Sequence, residues 1–121
     1  MRASIQVAPP NSLLIVCDVH GWTAPKITPD KRIWSAPSCI IVGCLAFMDG
    51  STQVVLGDGS EVDPGDHASF DDMLFIPAGA VAIKTVEGDT LLQQQVRNTR
   101  VRVRIWTNHP TEPNQVIVGL S

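Results

Sequence analysis

Four residues near the C-terminal end carry the strongest chemical signal in the sequence. Arg100, Arg102 and Arg104 alternate with apolar residues, and Trp106 continues the alternation. Because successive side chains of a β-strand point to opposite faces, the three guanidinium groups and the indole are predicted to form one row. Arg and Trp are typical anchors of interfaces, so the row predicts a surface for an acidic protein, phosphate or nucleic acid.

The same row also has a purely structural interpretation. Its arginines can pair across strands with Asp or Glu, or protect a sheet edge from aggregation. Acids are available, because residues 49–89 hold nine of them against the single base Lys84, whereas residues 97–104 hold four arginines and no acid. The formal net charge of −3 and the small number of aromatic residues argue against nucleic acid as the partner.

Two further tryptophans lie in the longest irregular segment. Residues 22–37 contain three prolines, and Trp22 and Trp34 either pack this segment or take part in a binding loop. The candidate binding residues are therefore Arg100, Arg102, Arg104, Trp106, Trp22 and Trp34.

A nucleophile or metal site is a competing interpretation. Cys17, Asp18 and His20 are close in the sequence, and His67 and His109 lie elsewhere. No local signature connects the Cys to a His, and the three cysteines lack the spacing of metal ligands. A small core Cys and a His at a strand end explain the same residues, so we assign no catalytic residue, no metal ligand and no cofactor.

The turn-rich segment 57–66 (GDGSEVDPGD) is acidic. Asp58, Glu61, Asp63 and Asp66 offer the oxygen ligands that calcium requires, but the ordered spacing and the bidentate Glu of an EF-hand loop are absent. A solvated turn explains the composition better, because Asp, Gly and Ser are the usual turn residues. Cation binding by this segment stays open.

Together with residues 71–83 (DDMLFIPAGAVAI), this segment resembles the second conserved motif of the cupins, in which a Gly-Asp turn precedes a Pro-x-Gly turn. In that family a metal-binding His usually follows the Gly by three positions. Counted from Gly79, that position is Ala82, and the clustered His and Glu of the first cupin motif have no counterpart upstream. The resemblance therefore implies no metal centre in this chain.

The elements that position these residues are predicted to be strands. Short apolar or alternating runs are separated by Gly, Pro, Asn and Asp, and no segment of a dozen residues has a helical period. The pattern predicts an all-β antiparallel β-sandwich of about seven to nine short strands, with a small β-barrel as second choice. The runs are residues 4–7, 12–19, 38–48, 51–56, 73–76, 81–86, 90–96, 99–107 and 115–120, with an extended piece at 32–35.

Two hairpins are predicted from local turn signals. Asp49-Gly50 favours a type I′ turn, which would pair residues 38–48 with 51–56 and place Phe47 opposite Thr52. Glu87-Gly88-Asp89 would join residues 81–86 to 90–96. The predicted strand over residues 38–48 is apolar on both faces. A second copy of the chain could cover its outer face, so we expect a homodimer.

Length and composition set the frame for these predictions. With 121 residues, 44% hydrophobic and 17% charged, the chain is expected to form a single domain over residues 1–121, with a folded surface of ~6,400 Å². No signal-peptide core and no membrane-length apolar run is present, so we expect a soluble cytoplasmic protein with reduced thiols.

Three functions fit the sequence. The leading hypothesis is a non-enzymatic binding module that contacts an unknown protein partner through the Arg/Trp strand face, with an inhibitor or immunity-type protein as a specific form. The alternative is a small-molecule or metal-binding β-barrel, possibly a small enzyme, in which Cys17, Asp18, His20 and His67 are the first residues to examine. The third is a structural or assembly subunit.

Overall fold

Two five-stranded sheets face each other in the computed structural model, which describes residues 2–121; Met1 of the predicted domain lies outside this range. The sheets remain separate and do not close into a barrel, so the predicted sandwich is confirmed. The ten strands are β1 (Arg2–Val7), β2 (Leu13–Asp18), β3 (Ile33–Ala36), β4 (Cys39–Gly43), β5 (Thr52–Asp58), β6 (Phe70–Phe75), β7 (Ala80–Lys84), β8 (Thr90–Gln95), β9 (Arg100–Thr107) and β10 (Gln115–Leu120). One helical turn, α1 (Gly59–Val62), follows β5, and short 3-10 turns lie at Pro10–Ser12 and Phe47–Asp49.

The first sheet has the order β1-β5-β10-β9-β6, and the second has the order β3-β4-β2-β7-β8. Neighbouring strands are antiparallel, except that β5 and β10 run parallel. Strand β6 is therefore an edge of the first sheet, and it has β9 as its only strand neighbour within residues 2–121.

The core lies between the inner faces of the two sheets. The accessible surface is 6405 Å², which matches the value expected of a folded chain of this mass, so the chain covers its own core. Burial of this apolar surface is the main stabilising contribution to the fold. The largest fully buried apolar side chains are Leu14, Ile40, Leu56, Leu74, Ile76, Ile83 and Ile105.

Strand β4 is buried on both faces within one chain. Ile40 belongs to the core between the sheets, whereas Cys39 and Ile41 belong to a second apolar cluster on the outer face, together with Trp34 of β3. The indole Nε1 of Trp34 donates a hydrogen bond to the carbonyl of Thr28 at 3.0 Å, which ties the preceding loop to this cluster. The exposed apolar face from which we expected a homodimer is thus covered by the chain itself.

The hairpin predicted at Asp49-Gly50 is wrong. Strand β4 pairs with β2 and β3, and β5 pairs with β1 and β10, so the two strands belong to different sheets. The chain leaves the second sheet after Gly43, where the Leu45 amide donates to the Pro113 carbonyl at 2.9 Å. Asp49 ends a 3-10 turn and lacks the positive φ that a type I′ turn needs, whereas Gly50 has a φ of 138°.

The second predicted hairpin is confirmed. Strands β7 and β8 pair antiparallel with Ala80 opposite Gln95, and a register irregularity lies at Ile83 and Lys84, close to the connecting turn. Within residues 2–121, no helix has the length and apolar character required to cross a membrane.

Candidate protein-interaction face

The arginine row forms as the alternation of β9 requires, but its environment changes along the strand. Val101, Val103 and Ile105 pack into the core, so the arginines and Trp106 lie on the outer face of the first sheet. Arg100 and Arg102 are exposed, Arg104 is half-buried, and Trp106 retains only 5% of its accessible surface. The row therefore divides into an exposed end and a covered end.

Trp106 is the centre of a small apolar cluster on the outer face. It packs with Val55 of β5 and Val62 of α1, and its Nε1 donates a hydrogen bond to the Asp66 carbonyl at 3.0 Å. Gly119 makes room for the ring, because a Cβ at this position would lie 3.0 Å from Cζ3 of Trp106. The indole thus holds α1 and the acidic loop against the sheet.

Arg104 connects the covered end of the row to the acidic segment. Its guanidinium lies 5.1 Å from the centroid of the Trp106 ring, a distance at which a cation–π interaction operates. Its Nη1 donates to Oδ2 of Asp63 at 3.1 Å. One carboxylate of the acidic segment is therefore paired with an arginine. Within residues 2–121, no group of three or more His, Cys, Asp and Glu side chains is placed to hold a metal ion.

Arg102 forms a two-bond ion pair with Asp71 of β6. Its Nε donates to Oδ1 at 2.8 Å, and its Nη2 donates to Oδ2 at 2.5 Å. These hydrogen bonds lower the pKa of the Asp71 carboxyl below its ordinary value and raise the pKa of Arg102. The cross-strand pairing that the structural interpretation of the row requires is thus present at Arg102, whereas Arg104 pairs with Asp63 of the loop after α1.

Two apolar residues that sequence reasoning missed complete the exposed end. Met73 and Phe75 of β6 stand opposite Arg102 and Arg100, and they are 42% and 46% exposed. The intervening Leu74 is fully buried, so the alternation of β6 was a usable signal for two outward apolar residues. We call the surface formed by Asp71, Met73, Phe75, Arg100 and Arg102 the Arg–Met–Phe face.

The backbone of the β6 edge is partly satisfied by local hydrogen bonds. The Phe75 amide donates to the Pro37 carbonyl at 2.7 Å, and the Met73 amide donates to Oδ1 of Asp72 at 2.7 Å. These two N–H groups are not available to pair with an added strand. A partner would therefore contact mainly the side chains of the Arg–Met–Phe face and not its backbone.

The loop that carries Trp22 is connected to the same edge. The Thr23 amide donates to Oγ of Ser38 at 3.2 Å, next to the Pro37 carbonyl that accepts from Phe75. Trp22 is 38% exposed, whereas Trp34 retains only 6% of its accessible surface. Of the six candidate binding residues, the structure thus leaves Arg100, Arg102 and Trp22 exposed, and it packs Trp34 and Trp106 into apolar clusters.

Two of the residues considered for a nucleophile site, Cys17 and Asp18, are buried and have structural roles. Cys17 is fully buried in the outer cluster of the second sheet, and burial raises its pKa to about 11. Asp18 is also buried, and its carboxylate accepts backbone N–H bonds from His20 at 3.2 Å and Ala78 at 3.1 Å. Asp18 thus links the end of β2 to the turn before β7, a role that the sequence did not reveal.

Comparison with known proteins gives a match in fold. No family model and no curated protein matches the sequence. The resemblance to the cupin motif is therefore not supported by a family match. The structure resembles that of ComJ from Bacillus subtilis, an inhibitor of the DNA degrading activity of NucA, with a TM-score of 0.68 and 8% identity over 98% of this chain and 93% of that chain. The structure has a weaker likeness to the product of crocagin biosynthetic gene J. The TM-score is 0.49 and the identity is 11%, over 98% of this chain and 94% of that chain. At these identities the likeness shows the fold alone.

Proposed function

We propose that this protein is a non-enzymatic binding module that attaches to a protein partner through the Arg–Met–Phe face. The observation that carries the proposal is the exposure of Met73 and Phe75 directly beside Arg100 and Arg102 on a sheet. Aromatic residues, Met and Arg are enriched in protein interfaces, where a few such residues contribute most of the binding free energy.

The geometry of the face favours binding. Arg102 is held by two hydrogen bonds to Asp71, so ordering its side chain on association costs less conformational entropy than ordering a free arginine. Arg100 makes no ion pair within residues 2–121, and it is free to meet a carboxylate of the partner. The preferred partner surface is apolar at its centre and acidic at its rim.

We further propose that the partner is an enzyme that this protein inhibits, and that a nuclease is the first class to test. The fold likeness to ComJ, which extends over 98% of the chain, supports this form of the proposal. Nucleases that use metal ions bind them through carboxylates. The two arginines of the face outnumber its one carboxylate, Asp71, so the face is complementary to an acidic catalytic rim.

The test is an affinity capture from the source cell's lysate with four baits: wild type, Met73→Ala/Phe75→Ala, Arg100→Ala/Arg102→Ala, and the control Gln93→Ala/Gln95→Ala on the other sheet. All four baits are first shown to be folded by circular dichroism. We expect wild type and control to retain one stoichiometric partner that both face variants lose, and we expect wild type to inhibit that partner's enzymatic activity. A partner that all four baits retain equally would contradict the proposed face.

A further inference from the structure

We propose that a second site, separate from the Arg–Met–Phe face, binds a small molecule that carries a phosphate group. The site is a surface cavity of about 500 Å³ between the loop before β3 and the loop after β9. This volume lies in the range typical of small-ligand sites. Arg32, Lys31, His109, Thr107 and Thr111 provide polar groups on its lining.

Arg32 is positioned by Gly43. The Gly43 amide donates to the Arg32 carbonyl at 2.7 Å, and the Arg32 guanidinium lies across the glycine. A Cβ at residue 43 would be 3.0 Å from Nη2 and 3.1 Å from Cζ of Arg32, so the glycine makes space for this guanidinium. Within residues 2–121, no carboxylate forms an ion pair with Arg32, which leaves its donors for a ligand.

His109 adds a donor on the other wall of the cavity. Its Nδ1 accepts backbone N–H bonds from Thr111 at 3.2 Å and Glu112 at 3.0 Å. Because Nδ1 is an acceptor, the neutral ring carries its proton on Nε2, which is then a hydrogen-bond donor.

The charge of the lining favours an anion. Asp30 is the one acid on the lining, against Lys31 and Arg32, and its carboxylate accepts the hydroxyl of Thr28. The formal sum of these three charges is +1. Guanidinium, ammonium and hydroxyl donors around a small cavity are the groups that bind the oxygens of a phosphate.

This cavity and the Arg–Met–Phe face lie at opposite ends of β9. Thr107 lines the cavity, and Arg102 lies five residues earlier, which corresponds to about 17 Å along a strand. Substitutions at one site therefore leave the other in place, and the two proposals fail or succeed independently.

The test is a titration of the ¹⁵N-labelled full chain with inorganic phosphate at constant ionic strength, followed by amide chemical shifts. We expect saturable shifts confined to the amides of residues 30–33, 43, 69, 107–109 and 111–112, because the prolines of the lining have no N–H group. Arg32→Gln is expected to weaken binding about tenfold, because a charge-assisted contact is lost. Gly43→Ala, which keeps the charge but displaces the guanidinium, is expected to act in the same direction.

Lys26→Gln is the matched control, because it removes one exposed cation of the same loop away from the cavity. A well-dispersed amide spectrum shows that each variant is folded. The proposal is overturned if wild type shows no saturable shifts at the cavity, if Lys26→Gln weakens binding as much as Arg32→Gln, or if acetate binds as tightly as phosphate.

Discussion

Asp71 and Arg102 form their ion pair diagonally across two strands. The residue opposite Asp71 is Arg104, and the residue opposite Arg102 is Met73, yet the carboxylate accepts two bonds from Arg102. Diagonal neighbours on one sheet face are within reach of long side chains. The guanidinium of Arg102 therefore extends towards the covered end of the row, while Met73 remains 42% exposed.

This ion pair predicts a lowered pKa for the Asp71 carboxyl. Because the hydrogen bonds from Arg102 lower the pKa of Asp71 in the folded state, we expect its carboxyl to titrate below pH 3.8. The stabilising contribution is present above the unfolded-state pKa and is lost as the pH falls through the folded-state pKa. Carboxyl ¹³C NMR measures this pKa directly, and Arg102→Met should return it towards its ordinary value. An unchanged Asp71 pKa in that variant would contradict the assigned cause.

We expect substitution of Gly119 by alanine to disturb the packing at the covered end of the arginine row. A Cβ here would lie 3.0 Å from Trp106, 3.1 Å from Cα of Gly59 and 3.2 Å from Val62, so Gly119→Ala forces an overpacked contact. We expect the free energy of unfolding to fall by about 1–3 kcal/mol, with an altered near-ultraviolet signal of the indole. Urea denaturation provides the measurement.

Gly21 is the matched control for this substitution. Nothing lies within 4 Å of a Cβ built at Gly21, and its φ is outside the left-handed region. Gly21→Ala should change the free energy of unfolding by less than about 0.5 kcal/mol. Equal urea midpoints for both alanine variants would show that the outer cluster tolerates the added methyl group.

Substitution of the two tryptophans of the 22–37 segment should affect the stability of the fold differently. Trp34 covers Ile15 and Ile41 on the outer face of the second sheet, so Trp34→Ala should destabilise the fold by about 3–5 kcal/mol. Trp22 is 38% exposed, so Trp22→Ala should change the free energy of unfolding by less than about 0.5 kcal/mol. Chemical denaturation of both variants measures the difference, and a similar loss in both would contradict the assigned packing of Trp34.

Burial of the three thiols predicts their reactivity. Burial raises the pKa of Cys17 and Cys44 to about 11 and that of Cys39 to about 12. The thiolate is the reactive form, so we expect almost no reaction with a thiol reagent at pH 8 in the native protein and three labelled thiols per chain in denaturant. Rapid labelling of one thiol in the native protein would show an opening that the fold does not contain.

The same thiols affect stability at high pH. Their folded-state pKa values lie above the ordinary value of 9.0 for a cysteine thiol, so their contribution is complete below pH 9. It declines as the pH rises through the folded-state values, because the unfolded chain loses these protons first. Denaturation midpoints measured from pH 8 to pH 10.5 should decrease less steeply in Cys39→Ala than in wild type.

Local patterns in the sequence were sufficient to predict much of the fold. The alternation from residue 99 to 107 predicted β9 and its two faces, and the turn at residues 87–89 predicted the hairpin of β7 and β8. These features depend on the two-residue period of a strand and on short turns, which neighbouring residues determine.

Contacts distant in sequence decided the rest. Asp49-Gly50 is a strong hairpin signal, yet β5 finds full-length partners in β1 and β10, and this pairing outweighs a favourable two-residue turn. Alternation placed Trp106 outward but could not show that α1 and the Asp66 carbonyl cover it. Likewise, only the tertiary structure shows that Met73 and Phe75 remain exposed on the outer face of the first sheet. The sequence determined the strands and their faces, because these are local properties, whereas only the tertiary structure decided which outward faces stay open to a partner, because burial depends on elements far along the chain.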